Sequence, residues 1–190
     1  MKLKMYFLLL ALGALGLQSC DNDDDDDLSY VPAELKNAFT AKYPTVSNEK
    51  WETKGNYYVA DFRHQNYETS AWFTPDGTWQ MTETDIPYQA LPSAVKSAFE
   101  SSEYAKWKID DVDMLERLDM ETVYVIEVES GKQEFDLYYS AEGILIKNVA
   151  DTDNDSGNYL PAEVPAAIEN FIKEKYPNAR LAEVEVEHGM

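Results

Sequence analysis

The chain repeats itself, and that restricts its fold more than any other feature. Three segments open on an apolar residue and Pro and continue with apolar residues at helical spacing: Val31-Pro32-Ala33-Glu34-Leu35 with Ala38-Phe39, Leu91-Pro92-Ser93-Ala94-Val95 with Ala98-Phe99, and Val164-Pro165-Ala166-Ala167-Ile168 with Phe171-Ile172. Pro is favoured where a helix begins, because the N–H it lacks has no partner there. Leu35, Ala38, Phe39 and Lys42-Tyr43-Pro44 recur as Ile168, Phe171, Ile172 and Lys175-Tyr176-Pro177, at a constant offset of 133 (177 minus 44). Pro44 and Pro177 also close their helices, since a Pro disfavours helical geometry in the residue before it.

After each of the first two helix segments the apolar period changes from near 3.6 to 2, the period of strands. The first set is placed at Glu49 to Lys54, Tyr57 to His64, Tyr67 to Thr74 and Thr78 to Thr84, and the second at Lys106 to Asp110, Thr122 to Glu129, Glu134 to Ser140 and Ile144 to Val149. Tyr58 maps to Tyr124 and Gly77 to Gly143, both at an offset of 66 (124 minus 58). The alternation assigns Tyr58, Ala60, Phe62, Thr69, Ala71 and Phe73 to the helix side, with Tyr124, Ile126, Val128, Phe135, Leu137 and Tyr139 as their counterparts. The opposite side carries Val59, Asp61 and Arg63, matched by Val125, Glu127 and Glu129, a mixed set suited to water. The fold class expected is α+β: tandem repeats of one helix packed on a four-stranded antiparallel sheet, over 30–86 and 87–150. An acidic linker at 151–157 leads to a partial third repeat at 158–190, a helix plus one strand, with Val184 at the place of Trp51.

The N-terminus describes an address. Lys2 and Lys4 precede an apolar run from Met5 to Leu17, and such a run spans roughly 20 Å as a helix, short of a ~30 Å hydrocarbon core. It is an export signal, residues 1–19, rather than a membrane span. Cys20 follows Leu17-Gln18-Ser19, a pattern that resembles the lipobox of bacterial lipoproteins, in which the thiol is acylated and the chain is cut before the Cys. Two or more acyl chains hold a protein durably on a membrane where one does not. Asp21, Asn22 and Asp23 to Asp27 then form an acidic tether within 20–29, because dense like charges stay extended and solvated. Acidic residues directly after a lipidated Cys resemble the surface-export signals of some Gram-negative lipoproteins. The expected location is therefore the outer membrane, displayed at the surface in preference to facing the periplasm.

Charge and cysteine count exclude several function classes. The chain has 36 Asp plus Glu against 16 Lys plus Arg, a net charge of -20, and nucleic-acid affinity comes mostly from basic residues displacing counterions. One Cys supplies neither an intramolecular disulfide nor a thiolate metal site. No Gly-x-Ser-x-Gly elbow and no phosphate loop is present, and the two His, His64 and His188, fall at a hairpin end and near the C-terminus. The expectation is a protein that is not an enzyme and needs no cofactor. One metal candidate stands out: Asp151, Asp153 and Asp155 alternate before Gly157 like a calcium loop, but Gly157 falls seventh rather than sixth from Asp151, so no metal site is assigned.

A short exported chain with helix-plus-meander repeats, opening on Leu/Val-Pro-x-x-Leu/Val and carrying Lys-Tyr-Pro and an aromatic-rich strand pair, resembles the PepSY-like family, also described as beta-lactamase-inhibitor-like. The resemblance covers residues 30–150 and part of 158–190. It implies a secreted or lipid-anchored binding module, an open sheet face able to engage another protein, and no catalytic residues to carry over. Beside the membrane lipid, the partner expected is a protein or peptide; the alternative is a carbohydrate or other small molecule, because Trp and Tyr on a sheet also stack on sugars.

The binding face expected on these grounds holds Tyr57, Trp72 and Tyr138, which alternation directs away from the helices. Large aromatics supply rigid contact area at binding hot spots; equally, they can pack against a neighbouring repeat or the C-terminal helix. Trp72→Ala separates the two: a ligand anchor leaves the melting temperature nearly unchanged, whereas a packed core position lowers it clearly.

Overall fold

The computed structural model describes residues 31–150, 164 and 166–184. Cys20, the Asp tether, His188 and Asp151, Asp153 and Asp155 lie outside the described residues. Helix α1 (Ala33–Lys42) is followed by strands β1 (Lys50–Lys54), β2 (Tyr57–His64), β3 (Tyr67–Phe73) and β4 (Trp79–Asp85). Helix α2 (Ser93–Glu100) precedes β5 (Lys108–Arg117), β6 (Val123–Ser130), β7 (Gln133–Ser140) and β8 (Leu145–Ala150), and α3 (Ala166–Lys175) comes last. Pro32 and Pro92 are the residues before the first helical turns, held extended at ψ 143° and 145°. At the other end Tyr43 caps α1 by donating its N–H to the Phe39 carbonyl at 2.7 Å, and Pro44 prevents another turn.

The expectation of tandem units, each a helix on its own four-stranded sheet, is overturned. The strands form one eight-stranded antiparallel sheet in the order β1 to β8. The joint is β4 with β5, whose register runs from Met81–Arg117 to Asp85–Asp113. Sequence placed the end of β5 at Asp110, because the Asp-rich stretch after it has poor strand propensity. In the fold β5 continues to Arg117, alternating Val112, Met114 and Glu116 with Asp113, Leu115 and Arg117. Two separate sheets would present two more unpaired edges, and pairing β4 with β5 satisfies those backbone groups within the sheet.

Both α1 and α2 cover the same side of this sheet. Leu35 and Phe39 of α1 are buried with Trp51, Ala60, Phe62, Ala71 and Phe73, and the Phe39 ring meets Phe62 edge-on at 5.0 Å. Val95 and Phe99 of α2 are buried with Ile126, Val128, Leu137 and Tyr139. Alternation thus identified the helix-facing residues. It was less informative for the other side, where Val59, Trp72, Met81, Leu115, Val123, Val125 and Tyr138 form a third buried cluster.

The third helix departs from the first despite its matching sequence. Ile168 and Phe171 stand 51% and 54% exposed, while the equivalent Leu35 is fully buried. The strand expected after it is reduced, among the described residues, to a single parallel bridge between Met120 and Leu181. A helix buries its apolar stripe only when a sheet lies behind it, and both four-strand stretches of this sheet are already occupied by α1 and α2.

Two turns explain how closely the helices sit. Gly77 and Gly143 adopt φ +84° and +81°, a region that L side chains rarely adopt. A Cβ on Gly143 would stand 2.4 Å from the Ala94 carbonyl oxygen of α2, whereas Gly131, at φ +66°, has nothing within 4 Å. Gly143→Ala is expected to destabilise the fold by about 2–4 kcal/mol, and Gly131→Ala by only about 1–2 kcal/mol, the left-handed backbone penalty alone. Urea unfolding midpoints of the two variants measure the difference; equal losses contradict the close approach.

Candidate functional site

The side of the sheet away from α1 and α2 is divided into an apolar half and an acidic half. Cross-strand register lays Val59, Trp72 and Met81 side by side on β2, β3 and β4, with Arg117 of β5 next in the row. Val125 and Tyr138 are paired in the same way on β6 and β7. Trp72 is 5% exposed and Tyr138 6%, with Tyr57 partly buried against them. The structure therefore brings the three aromatic residues singled out from sequence onto one side and into one cluster. Lys54 lies over the Trp72 ring at 5.6 Å, and Lys147 over the Tyr138 ring at 4.4 Å. Burial on this scale places Trp72 among positions whose truncation to Ala removes about 3–5 kcal/mol.

Arg117 anchors the chain's own C-terminal stretch on this face. Its guanidinium is buried, donating from Nη1 to Glu183 Oε2 at 3.1 Å and from Nη2 to the Ala182 carbonyl at 2.6 Å. The Lys147 ammonium reaches the same Glu183 oxygen at 3.7 Å. A backbone bond from Glu121 N–H to the Leu181 carbonyl, 2.8 Å, fixes the start of the stretch. A forked guanidinium that binds one side-chain carboxylate and one backbone carbonyl recognises a peptide segment by two different groups.

The acidic half centres on Asp113, 4% exposed. A β-bulge creates it. The register shifts between Ile109 and Asp111, so one extra residue, Asp110, resets the alternation. Ile109 and Val112 both face the helix core as a result, and Asp111 joins Asp113 on the opposite side, directly across from Glu127. Asp111, Asp113 and Glu127 each bring a carboxylate oxygen within 4.8 Å of the others. Glu83 and Asp85 of β4 adjoin them through the β4–β5 joint, Asp85 lying opposite Asp113. Burial, reinforced by Glu83, Asp111 and Glu127, holds the Asp113 carboxyl well above the usual carboxylate range. Burial likewise pushes Glu83 up to about 7, with Lys54 opposing and Asp111, Glu127 and Asp61 adding to the rise. Sequence reasoning missed this group because it ended β5 too early. The signal available was the Asp-x-Asp alternation at 111 and 113, legible only once the strand is extended.

On the helix side a cleft of about 360 Å³ opens beside the end of α1, lined by Tyr43, His64, Tyr67, Thr82, Thr84 and Tyr124 among others. Tyr43 Oη and Thr82 Oγ1 are 2.5 Å apart, Trp79 Nε1 donates to the same Thr82 oxygen at 2.9 Å, and Lys42 lies 3.6 Å above the Trp79 ring. Burial pushes the Tyr43 hydroxyl up to about 12. His64 packs edge-on against Tyr43 at 5.6 Å, which accounts for it as a cleft wall.

A single antiparallel sheet with two helices on one side is the architecture this chain shares with beta-lactamase-inhibitor-like proteins. The chain belongs to the PepSY-like (beta-lactamase-inhibitor-like) family, whose model matches residues 56–147 and 153–189. A BLIP-like protein from Bacteroides fragilis is 37% identical over 73% of this chain and 100% of that one, with a TM-score of 0.67. A DUF2874 family protein from Bacteroides ovatus is 30% identical over 66% of this chain and 93% of that one, TM-score 0.63. A protein from Bacteroides eggerthii described as "putative periplasmic" is 27% identical over 64% of this chain and 89% of that one, TM-score 0.61. No curated protein matches the chain.

The raised Glu83 carboxyl has a defined consequence for stability. The unfolded chain ionises Glu83 near its ordinary 4.5 and the folded chain only near 7, so the folded state binds more protons in between and stability falls as pH rises through that window. Glu83→Gln is expected to abolish most of this loss. In metal-free buffer it should match the parent at pH 4 and exceed it by about 1–3 kcal/mol at pH 8, as read by urea unfolding. A pH profile unchanged by the substitution contradicts the assignment.

Proposed function

We propose that this protein is a non-enzymatic, lipid-anchored exported module that binds an extended segment of another protein or peptide on the sheet face opposite α1 and α2. The observation that carries the reading is the stretch 181–184, a piece of the chain held on that face through Arg117 and Lys147. A partner strand of similar chemistry would displace this stretch and engage the same guanidinium, on the sheet face where Tyr57, Trp72 and Tyr138 form a packed cluster. The family's inhibitor-like character agrees with binding rather than turnover.

Export is supported by the sequence of residues 1–19 and by the periplasmic description of the Bacteroides eggerthii relative. Acylation of Cys20, with the Asp tether behind it, would then hold the protein on the outer membrane with the sheet face turned to the medium. A second reading, binding of a carbohydrate or other small molecule, is favoured by the helix-side cleft. Its volume and its mixture of Tyr and Thr hydroxyls fall within the range of small-ligand sites.

Site-specific crosslinking on intact cells tests the first reading. Acylation leaves no free thiol in the parent protein, so Lys54→Cys on the sheet face and Lys36→Cys on α1 each introduce a lone reactive group. A membrane-impermeant maleimide-benzophenone reagent should label both variants and spare the parent, and illumination should yield a protein adduct from the Lys54→Cys position alone. Labelling of the parent removes the lipid anchor from the reading. Adducts of equal yield from Lys36→Cys, or none from Lys54→Cys, remove the sheet-face partner.

A further inference from the structure

We propose that Asp111, Asp113 and Glu127 form a calcium-binding site on the acidic half of the sheet face, an assignment independent of the partner-binding reading above. Three observations converge on it. First, the three carboxylates come from two neighbouring strands and place an oxygen each within 4.8 Å of the others. Oxygens that share one calcium ion, each about 2.3–2.6 Å from it, lie within such a distance of one another. Second, Asp113 is 4% exposed, and its carboxylate has no hydrogen-bond or ion-pair partner among the described residues, only like charges. A buried carboxylate that faces only other acids is a position a cation would satisfy. Third, the bulge at Asp110 is the device that turns Asp111 toward Glu127, and bulges commonly re-aim side chains at sites.

The donor set selects the metal. Among the described residues no His or Cys stands with the three acids, so the site is all oxygen, which favours a hard divalent ion over zinc or copper. Asp85 lies across from Asp113 and Asp136 across from Glu127, placing two more carboxylates at the rim of a site that calcium would complete with water. Calcium takes carboxylates in flexible geometry with six to eight oxygens, whereas magnesium demands a near-ideal octahedron. The site is distinct from the Asp151-x-Asp153-x-Asp155 run, which lies outside the described residues.

Thermal unfolding of the full chain, after treatment with chelator, tests the proposal. Calcium chloride at about 5 mM, against sodium chloride of matched ionic strength, should raise the melting temperature by about 3–6 °C, the range expected for a millimolar-to-submillimolar site. Asp113→Asn should abolish the calcium response. Glu127→Gln, whose side chain is less buried, should also lose the response and serves if Asp113→Asn does not fold. A triple Asp151→Asn, Asp153→Asn, Asp155→Asn variant should keep it. The proposal is overturned by the absence of a calcium shift, by a shift that survives Asp113→Asn and Glu127→Gln, or by one lost in the triple variant. It is equally overturned if a lysine-rich peptide stabilises the chain where calcium does not, because the acids would then serve a cationic partner segment.

Discussion

The pairing of β4 with β5 is the constraint on which the rest of the structure depends. It converts two runs of strands into one sheet, and because strand alternation is continuous through the joint, it forces α1 and α2 onto the same side. The side they leave must then be a single broad surface. The same pairing sets Met81 beside Arg117 and Asp85 beside Asp113, so the guanidinium and the carboxylate cluster both exist only because this register holds. A slip of one residue would turn Arg117 and Asp113 toward the helix core, where a buried charge without a partner is strongly disfavoured.

The two sides of the sheet are held by different physics. Under the helices the packing is aromatic and aliphatic, with Phe39 meeting Tyr43, Trp51, Phe62 and Phe73 in tilted or edge-on pairs. The opposite side combines a smaller apolar cluster with Arg117, Asp113 and Asp136, all buried. Buried ion pairs add little net stability but are severely disrupted when one member is removed. Such a surface is selective about what lies on it, since each charged group must find its counterpart there.

Much of this was legible in the sequence. Period-2 alternation located β2 without error, and β1, β3, β4, β6, β7 and β8 to within a residue or so at each end, because their apolar residues pack against helices whose Pro-initiated starts were also visible. What was hidden depends on pairing rather than on local pattern. The separation into two sheets failed at Asp111 to Arg117, where acidic residues mask a strand that is stabilised by neighbours on both sides. The burial of Val59 and Val125 was hidden in the same way, because a mixed set of side chains reads as solvated until the cluster around Trp72 and Tyr138 is assembled. The carboxylate group needed both the extended β5 and the bulge before its members could be seen to meet.

The order of the sheet also sets how it can be made. Every strand pairs with the one before it in the chain, so a polypeptide delivered N-terminus first always presents the next strand to an edge already in place. Only the β4–β5 step must close over an intervening helix; the others are hairpins, which form within microseconds. Low contact order of this kind favours rapid assembly and brief exposure of sticky edges, and the sheet grows in the direction of synthesis like a zip drawn from one end.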